Sequence, residues 1–266
     1  ADILNNCKNY NKNGINCYYC RQGMGNLCLN PRALGHEING GFSDYLLISK
    51  EVFENTPNNK INSNIKVSPI IALCEPLACC INSFDKVNDL NKKSVMIYGF
   101  GPMGYLLGKY ALYLGYTNII YIEINKSRIS SFKKLNESKM EIYKTIKEVP
   151  LHKFTIQQIF IACKSLEAIK QSLELNLKNF QINFFSGLKS NKTLKLTADL
   201  IHYNQITISG SHGSTISNFK KAYKLINNNK IKINTKFKKI INMKNFIINL
   251  SSIKKGKYLK VILEND

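Results

Sequence analysis

Three cysteines near the start of the chain have a spacing that is typical of a metal-binding loop. Two residues separate Cys17 from Cys20, and seven residues separate Cys20 from Cys28. Zinc in a structural site binds four sulfur or nitrogen ligands in a tetrahedron, so this stretch supplies three of the four. The spacing therefore predicts a zinc site, and the fourth ligand has to come from another part of the chain.

A glycine-rich turn forms a second group of residues that could do chemistry. Gly99, Gly101 and Gly104 follow a short apolar stretch and precede a segment with the apolar periodicity of a helix. In a G-x-G-x-x-G turn, the first glycine permits a tight bend, the second lets a pyrophosphate approach the backbone, and the third lets the helix pack closely. The phosphates lie at the helix N-terminus, where free N–H groups and the helix dipole favour negative charge. The turn therefore predicts a dinucleotide site.

An acidic residue follows in the position that such a site requires. Glu123 ends the next predicted strand, nineteen residues after Gly104. A carboxylate there accepts hydrogen bonds from a ribose 2′-hydroxyl and repels a 2′-phosphate, which predicts NAD rather than NADP. The alternative is a glycine-rich turn with an incidental acid at the end of a strand. Arg128 lies near the same position and could equally be a solvated helix residue.

The segments that must hold these residues alternate between strand and helix patterns. Strands are predicted in SVMIYGFG, NIIYIEI, IQQIFIACKS, QINFFSGL and QITISG, and helices in PMGYLLGKYALYLGY, SRISSFKKLNE, LEAIKQSLELNL and SNFKKAYKLINN. This alternation is typical of βαβ units and predicts a parallel sheet. Before these units we predict a short strand at 42–48, then a polar linker, then a buried helix in PIIALCEPLACCINSFDKV. A last strand is predicted in KYLKVIL.

The overall composition is that of a globular protein with a large excess of lysine. The 266 residues include 38 Lys and Arg against 17 Asp and Glu, and 44% of them are hydrophobic. No stretch is apolar for the roughly eighteen residues that a membrane span needs, and the polar N-terminus lacks the pattern of a signal peptide. Only three basic residues are arginine, whereas nucleic-acid-binding surfaces usually favour arginine. The positive charge is therefore better explained by a general drift of the amino-acid composition towards Lys, Asn and Ile. We therefore expect neither nucleic acid nor a membrane as a partner.

The number of cysteines, their positions and the first residue add three expectations. Eight cysteines in a chain without an export signal predict a reducing compartment, which we take to be the cytoplasm. Four of them lie on apolar segments and are predicted to be buried thiols: Cys74, Cys79, Cys80 and Cys163. The chain does not begin with methionine, from which we expect a fragment or a processed protein.

Taken together, these motifs resemble those of the zinc-dependent medium-chain dehydrogenases, and they are most similar to the sorbitol/polyol and threonine dehydrogenase-like branch. The segments that carry the resemblance lie in the family's order between Cys7 and Val261: CYYCRQGMGNLC, GGFSDYLLI, CEPLACCINS, YGFGPMG and LIHYNQITISGSHGST. The resemblance implies a doubly wound α/β fold with a Rossmann NAD-binding domain at residues 66–230. Two remnants of a GroES-like β domain, residues 1–65 and 231–266, would flank this domain.

The resemblance also suggests the missing zinc ligand. Members of the family bind a structural zinc with four cysteines in the spacing C-x2-C-x2-C-x7-C, and the last three match Cys17, Cys20 and Cys28. The first would fall at Gly14, whereas Cys7 lies seven residues upstream, before the apparent insertion KNYNKNG. Lengthening a flexible loop costs little entropy, so Cys7 could still complete the site. The alternative is a decayed loop with three reduced cysteines and no metal.

The activity that the resemblance implies is NAD-dependent transfer of a hydride from an alcohol or polyol. In the family, a catalytic zinc polarises the alcohol oxygen and lowers its pKa. Glu75 corresponds to the glutamate that lies at this metal. The alternative is that Glu75 only stabilises the helix, because a carboxylate at a helix N-terminus interacts favourably with the helix dipole. The family's other zinc ligands precede the cysteine loop, so we expect the chain to lack the N-terminal part. The alternative is a truncated, catalytically inactive NAD-binding remnant.

The resemblance places further residues at the cofactor and suggests partners. The predicted cofactor contacts are Gly99, Gly101, Met103, Gly104, Glu123, Arg128, Ser186, Gly187, Leu188, Ser211 and His212. His36 and Glu37 follow the cysteine loop, whereas the family's catalytic Gly-His-Glu precedes it, so we interpret them as surface loop residues. The predicted partners are a small-molecule alcohol or polyol and further copies of the chain, in a dimer or tetramer.

Overall fold

The computed structural model describes residues 7, 16–48, 50, 69–87, 93–188, 192–234, 236, 238–254 and 258–264. The contacts between residues divide the chain into two compact units. The first consists of Ala1–Asn82 and His212–Asn229, and the second of Ser83–Ser211 and Lys230–Asp266. The predicted domain limits at residues 65 and 230 stay a prediction. Each helix in the described part of the chain is too short or too polar to span a membrane.

The described residues form eight strands and eight α-helices. The strands are β1 (Ser94–Tyr98), β2 (Asn118–Ile122), β3 (Met140–Tyr143), β4 (Ile156–Ile161), β5 (Gln181–Phe184), β6 (Thr207–Gly210), β7 (Lys238–Asn242) and β8 (Lys260–Glu264). The helices are α1 (Tyr18–Arg21), α2 (Cys74–Phe84), α3 (Pro102–Leu114), α4 (Lys126–Leu135), α5 (Leu166–Leu173), α6 (Ala198–Asn204), α7 (Ile216–Asn227) and α8 (Phe246–Lys254).

The six-stranded sheet of the second unit confirms the predicted doubly wound architecture. Its strands are all parallel and lie in the order β3-β2-β1-β4-β5-β6. β1 is buried from Ser94 to Tyr98, as expected for a central parallel strand. The strand order reverses between β1 and β4, and sheets of this kind bind ligands at that point, outside the carboxyl ends of the strands.

Two glycines let helix α3 lie close to its neighbours. A Cβ atom on Gly104 would lie 2.0 Å from the carbonyl oxygen of Gly99, and one on Gly108 would lie 1.8 Å from the hydroxyl of Tyr121. Neither separation is sterically possible, so both positions require glycine at this packing distance. The helix ends at Leu114, and the next residue, Gly115, has a φ of +100°, the left-handed conformation that commonly stops a helix.

The predicted strand at 42–48 is wrong. Residues 41–48 form bends and irregular backbone, and no strand of the described chain pairs with them. A strand needs a neighbour for its backbone hydrogen bonds, and alternating apolar residues do not provide one. The side chains of Phe42, Tyr45 and Leu47 are instead 71, 93 and 93% exposed. The predicted polar linker that follows lies outside the described residues.

The sequence patterns also did not indicate β3, α6, β7 and α8. β3 has four residues, and only Met140 is buried, so it lacks the apolar run of the other core strands. β7 begins with Lys238 and Lys239 and pairs in parallel with β8 in a separate two-stranded sheet. The last strand predicted in KYLKVIL is confirmed as β8.

A largely buried polar network joins helix α3 to the segment that precedes β7. The Tyr105 hydroxyl donates to Glu137 Oε1 at 2.7 Å, and Lys109 Nζ lies 3.0 Å from Glu137 Oε2. The backbone N–H of Asn234 donates to the Tyr105 oxygen at 3.2 Å, and its side-chain amide donates to the carbonyl of Leu135 at 2.8 Å. The network therefore fixes residue 234 against helix α3 within the second unit.

Replacing Tyr105 by phenylalanine is expected to destabilise the second unit by about 2 kcal/mol, because Glu137 loses a donor and the N–H of Asn234 loses an acceptor away from water. Chemical unfolding followed by circular dichroism measures the change. The matched control is Tyr113→Phe on the same helix, where the ring is 45% exposed and we expect a change within about 0.5 kcal/mol. Equal stabilities of the two variants would contradict the role of the network.

Candidate nucleotide site and cysteine cluster

The glycine turn between β1 and α3 is held by a backbone hydrogen bond and by a buried aromatic ring. The N–H of Gly99 donates to the carbonyl of Ile122 at 2.8 Å, and its φ of +104° favours glycine. The ring of Phe100 is fully buried, with its centroid 4.9 Å from that of Tyr121 and 5.1 Å from that of Phe132. The protein's own packing therefore sets the conformation of the turn.

Gly101 leaves the backbone of this turn open on one side. A Cβ atom built on Gly101 would meet no atom nearer than the guanidinium of Arg128, 3.8 Å away. Gly101 is also the N-cap residue of α3, and no side chain caps the helix there. The N–H groups of the first helical turn, which includes Met103, can therefore bind an anion. These residues fit the pyrophosphate of a dinucleotide.

Glu123 faces the turn from the end of β2, and both of its carboxylate oxygens already accept hydrogen bonds. Oε2 accepts from the N–H of Phe100 at 2.8 Å and from Nη1 of Arg128 at 3.3 Å. Oε1 accepts from the N–H of Asn125 at 2.8 Å. Glu123 is only 4% exposed. The acid that the sequence assigned to the ribose is therefore also a structural link between the turn and the start of α4.

A buried asparagine organises the carboxyl ends of β5 and β6. Oδ1 of Asn183 accepts from the hydroxyls of Ser83 at 2.8 Å and Ser211 at 3.0 Å, and its Nδ2 donates to the hydroxyl of Ser209 at 2.9 Å. The sequence analysis missed Asn183, although a polar residue inside the apolar stretch INFF was an available signal. The hydroxyl proton of Ser211 is therefore used within the protein.

The four cysteines of the N-terminal region come together in the first unit. The Sγ atoms of Cys7, Cys17, Cys20 and Cys28 all lie within 4.8 Å of one another. Four sulfurs at about 2.3 Å from a tetrahedral zinc are about 3.8 Å apart, so the cluster has a suitable size. The N–H of Cys7 donates to the sulfur of Cys28 at 3.2 Å, and the N–H of Cys17 donates to the sulfur of Cys7 at 3.3 Å. Cys7 thus lies where a fourth ligand is needed.

The surroundings of these sulfurs favour a negative charge at one of them. Backbone hydrogen bonds from Leu29 and Cys20 lower the pKa of Cys17 to about 6. Burial raises the pKa of Cys20, and hydrogen bonds with the neighbouring thiols raise it further. A metal binds cysteines as thiolates and displaces their protons. A set of four sulfur ligands fits zinc, and within the described residues it is the one group of three or more His, Cys, Asp or Glu side chains that could hold a metal.

Glu75, the predicted catalytic residue, lies in the first turn of helix α2. One turn later, the thiol of Cys79 donates to Glu75 Oε1 at 3.3 Å, and its sulfur lies 4.0 Å from the hydroxyl of Ser214. Burial raises the pKa of Cys79 to about 12, and the negative charge of Glu75 adds to this effect. Cys79 therefore keeps its proton and orients one oxygen of the Glu75 carboxylate.

His212 follows β6 and has an exposed ring. Its carbonyl accepts from the side-chain amides of Asn26 at 2.7 Å and Asn82 at 3.3 Å. A cavity of about 440 Å³ in the first unit is lined by Gly25, Asn26, Leu27, Cys28, Pro31, Ala33, His36, Glu37 and His212. His36 and Glu37 are both exposed, which confirms them as surface loop residues.

The predicted site residues fall into groups by unit. Around the glycine turn of the second unit lie Gly99, Gly101, Met103, Gly104, Glu123 and Arg128. After β5 and β6 of the same sheet come Ser186, Gly187, Leu188 and Ser211. The first unit contains Glu75, His212, Cys7, Cys17, Cys20 and Cys28. Their roles towards a ligand stay predictions.

Comparison with known proteins identifies relatives over nearly the whole chain, although no family model matches it. The chain is 25% identical over 259 residues to D-arabitol-phosphate dehydrogenase of Enterococcus avium, which covers 94% of this chain and 71% of that protein. It is 24% identical over 255 residues to sorbitol dehydrogenase of Halalkalibacterium halodurans, which covers 93% of this chain and 72% of that protein.

Solved structures share the fold. An alcohol dehydrogenase of Escherichia coli complexed with NADH has a TM-score of 0.74 and 17% identity, covering 93% of this chain and 72% of that one. A zinc-binding dehydrogenase of Sinorhizobium meliloti bound to NADP has a TM-score of 0.70 and 19% identity, covering 88% and 69%. The relatives, which include polyol, sorbitol and threonine dehydrogenases, and the fold shared with a zinc-binding dehydrogenase confirm the resemblance that the order of the motifs predicted.

Proposed function

We propose that the protein is an NAD-dependent oxidoreductase that transfers a hydride from the CH–OH group of an alcohol or polyol to NAD. One observation carries the proposal: a glycine turn, open at Gly101, joins the buried strand β1 to helix α3, with Glu123 beside it. This arrangement offers N–H groups to a pyrophosphate and an acid to the adenosine ribose.

The nucleotide would be held by residues at the carboxyl edge of the sheet. Bound NAD supplies the acceptor for the hydride. The uncapped first turn of α3 binds the pyrophosphate, and Glu123 and Arg128 lie on the side of the adenosine ribose. Ser186 and Ser211, which follow β5 and β6, are proposed to line the remainder of the site. Asn183 fixes the hydroxyl of Ser211 and so positions this part of the edge.

Glu75 is the proposed catalytic carboxylate. It is half-buried, and the thiol of Cys79 holds one of its oxygens, so the carboxylate has a restricted orientation. In the family a catalytic zinc lowers the pKa of the alcohol, and Glu75 is the residue of this chain proposed to face that metal. The four cysteines are proposed to hold a separate, structural zinc, which orders residues 17–28 and takes no part in the reaction.

The proposed substrate class comes from the relatives. The two named above are a D-arabitol-phosphate dehydrogenase and a sorbitol dehydrogenase. We therefore propose a polyol or a polyol phosphate rather than a simple alcohol. The protein is further proposed to work in the cytoplasm as a homo-oligomer, dimer or tetramer, without nucleic acid or a membrane as a partner.

The test is to supply the zinc-loaded protein with NAD and, one at a time, sorbitol, D-arabitol and a D-arabitol phosphate, and to follow NADH by absorbance. We expect NADH with at least one of them. Glu75→Gln should lower kcat about a hundredfold and leave the Kd for NAD unchanged. Glu167→Gln, an exposed acid on α5, is the matched control and should leave kcat unchanged.

The outcomes separate the proposal from its alternative. Binding of NAD with no NADH from any of these substrates would favour an inactive NAD-binding remnant of the family. Absence of NAD binding would contradict both. Equal effects of the two glutamate variants on kcat would remove Glu75 from the reaction centre.

A further inference from the structure

We propose that the cysteine loop, residues 17–28, positions the segment 212–214 through the side-chain amide of Asn26, so that the metal content of the cysteine cluster affects how the protein binds NAD. The inference rests on the proposed function, because the segment directly follows Ser211, which belongs to the proposed nucleotide site. It concerns the position of the backbone and adds no chemical step to the reaction.

Two asparagine side chains hold the segment 212–214 by its carbonyl groups. Nδ2 of Asn26 donates to the carbonyl of His212 at 2.7 Å, across 186 positions of the chain. Nδ2 of Asn82 donates to the same carbonyl at 3.3 Å and to the carbonyl of Gly213 at 3.0 Å. The backbone bends at Gly213, where a Cβ atom would lie 3.5 Å from the Cβ of Asn26. The cysteine loop therefore contacts the segment at its bend.

The far end of the segment is anchored independently of the cysteine loop. Ser214 is fully buried, and its hydroxyl lies 4.0 Å from the sulfur of Cys79. Thr215 is the N-cap of α7, and its hydroxyl accepts from the N–H of Asn218 at 3.2 Å. The bond from Asn26 differs from these contacts, because it comes from a loop that is proposed to need a metal.

The position of Asn26 depends on the cysteine cluster. Asn26 lies in the 3₁₀ turn Gly25–Leu27, and the N–H of Cys28 donates to the carbonyl of Gly25 at 3.1 Å. This turn contains no buried residue, and Leu27 is 40% exposed. A loop that buries so little apolar surface is held by its metal, because metal binding and folding are coupled in such units. Asn26 therefore keeps its place only while the four sulfurs bind the metal.

The first test follows the ring of His212 by proton NMR at constant pH. The chain contains four histidines: His36, His152, His202 and His212. His212→Gln identifies the signal of His212. Asn26→Leu keeps the size of the side chain and removes the donor, so it should move this signal and leave those of His152 and His202 unchanged. Removing the metal from the wild type with a chelator should move the signal of His212 as well.

The stability and zinc content of Asn26→Leu should stay close to those of the wild type. The carbonyl of His212 keeps its bond from Asn82, and the buried Oδ1 of Asn26 has no hydrogen-bond partner among the described residues. Melting temperatures and elemental analysis check this expectation. Gln22→Ala is the matched control, because it removes an exposed amide of the same loop, and it should leave the signal of His212 unchanged.

The second test compares NAD with ADP-ribose, which lacks the nicotinamide ring, by calorimetry. Ser211 is proposed to line the part of the site beyond the pyrophosphate, so a displaced segment should affect NAD alone. Asn26→Leu should weaken NAD about tenfold, the loss expected for one hydrogen bond, and leave ADP-ribose unchanged. Because coupling between two sites is reciprocal, NAD should raise the zinc affinity of the wild type by the factor by which zinc raises its NAD affinity.

The outcomes separate the inference from the proposed function. An unmoved His212 signal in Asn26→Leu would overturn the inference, and so would equal losses of NAD and ADP-ribose. Loss of zinc in Asn26→Leu would also overturn it, because Asn26 would then act by holding the cysteine loop together. A wild type that binds neither nucleotide would overturn the proposed function, and the histidine signals would still decide whether Asn26 positions the segment.

Discussion

Replacing Gly104 by alanine will destabilise the second unit by roughly 3 to 5 kcal/mol and abolish nucleotide binding. The new Cβ atom would lie 2.0 Å from the carbonyl oxygen of Gly99 and 3.1 Å from its carbonyl carbon. Both are backbone atoms, so no side-chain rotation can relieve the clash, and α3 must move away from β1. The movement displaces the N–H groups that would bind the pyrophosphate. Urea unfolding measures the stability, and calorimetry with NAD measures the binding.

Gly210→Ala is the control for this variant. No atom lies within 4 Å of the Cβ that it would add at the end of β6. We expect its stability to stay within about 0.5 kcal/mol of the wild type. If Gly104→Ala unfolded at the same urea concentration as Gly210→Ala, the close approach of α3 to the turn would not be the reason for a glycine at position 104.

Replacing Cys7 by serine will remove the bound zinc and unfold the cysteine loop. We expect one zinc per chain in the purified wild type, measured by elemental analysis, and a large loss in Cys7→Ser. Structural zinc contributes about 10 kcal/mol or more to the folding of small zinc-binding units, so the loop has little to hold it without the metal. Cys20→Ser should behave in the same way, because its sulfur belongs to the same cluster.

Two further measurements make this expectation specific. Cys163→Ser changes a half-buried thiol outside the cluster and should retain the zinc of the wild type. A chelator should lower the melting temperature of the wild type to that of Cys7→Ser and should not change Cys7→Ser itself. Full zinc content in Cys7→Ser together with loss in Cys20→Ser would show that another group supplies the fourth ligand.

The parts of the fold that the sequence predicted correctly are those with a local signal. β1 is a run of five buried residues, and the glycine turn follows it directly. Both the apolar run and the turn can therefore be recognised within a few consecutive residues. The same is true of α3, with its apolar periodicity. The strand at 42–48 was wrong because its pattern is local, whereas a strand exists only with a partner. β3 was missed since its four residues carry one buried side chain.

The candidate site shows the same division. The glycines and Glu123 follow from spacing, but the bonds from Phe100 N–H and Arg128 to the carboxylate do not, because a pattern contains no information on where backbone N–H groups point. The spacing of Cys17, Cys20 and Cys28 indicated a metal, whereas the position of Cys7 depended on how the intervening residues fold. Asn183 was missed because its three serine partners lie 26 to 100 positions away along the chain.

The hydrogen bond from Asn234 to Tyr105 limits where the chain can be trimmed. The two residues are 129 positions apart, and Ile231 and Ile233 next to Asn234 are buried. A shortened protein that stops at residue 230 would lose an apolar strip of the sheet unit and the donor to Tyr105, and would leave the carbonyl of Leu135 without its amide partner. Tolerance to truncation follows burial and bonding of the backbone rather than position. A protease-resistant core that contains the six-stranded sheet therefore has to include Asn234.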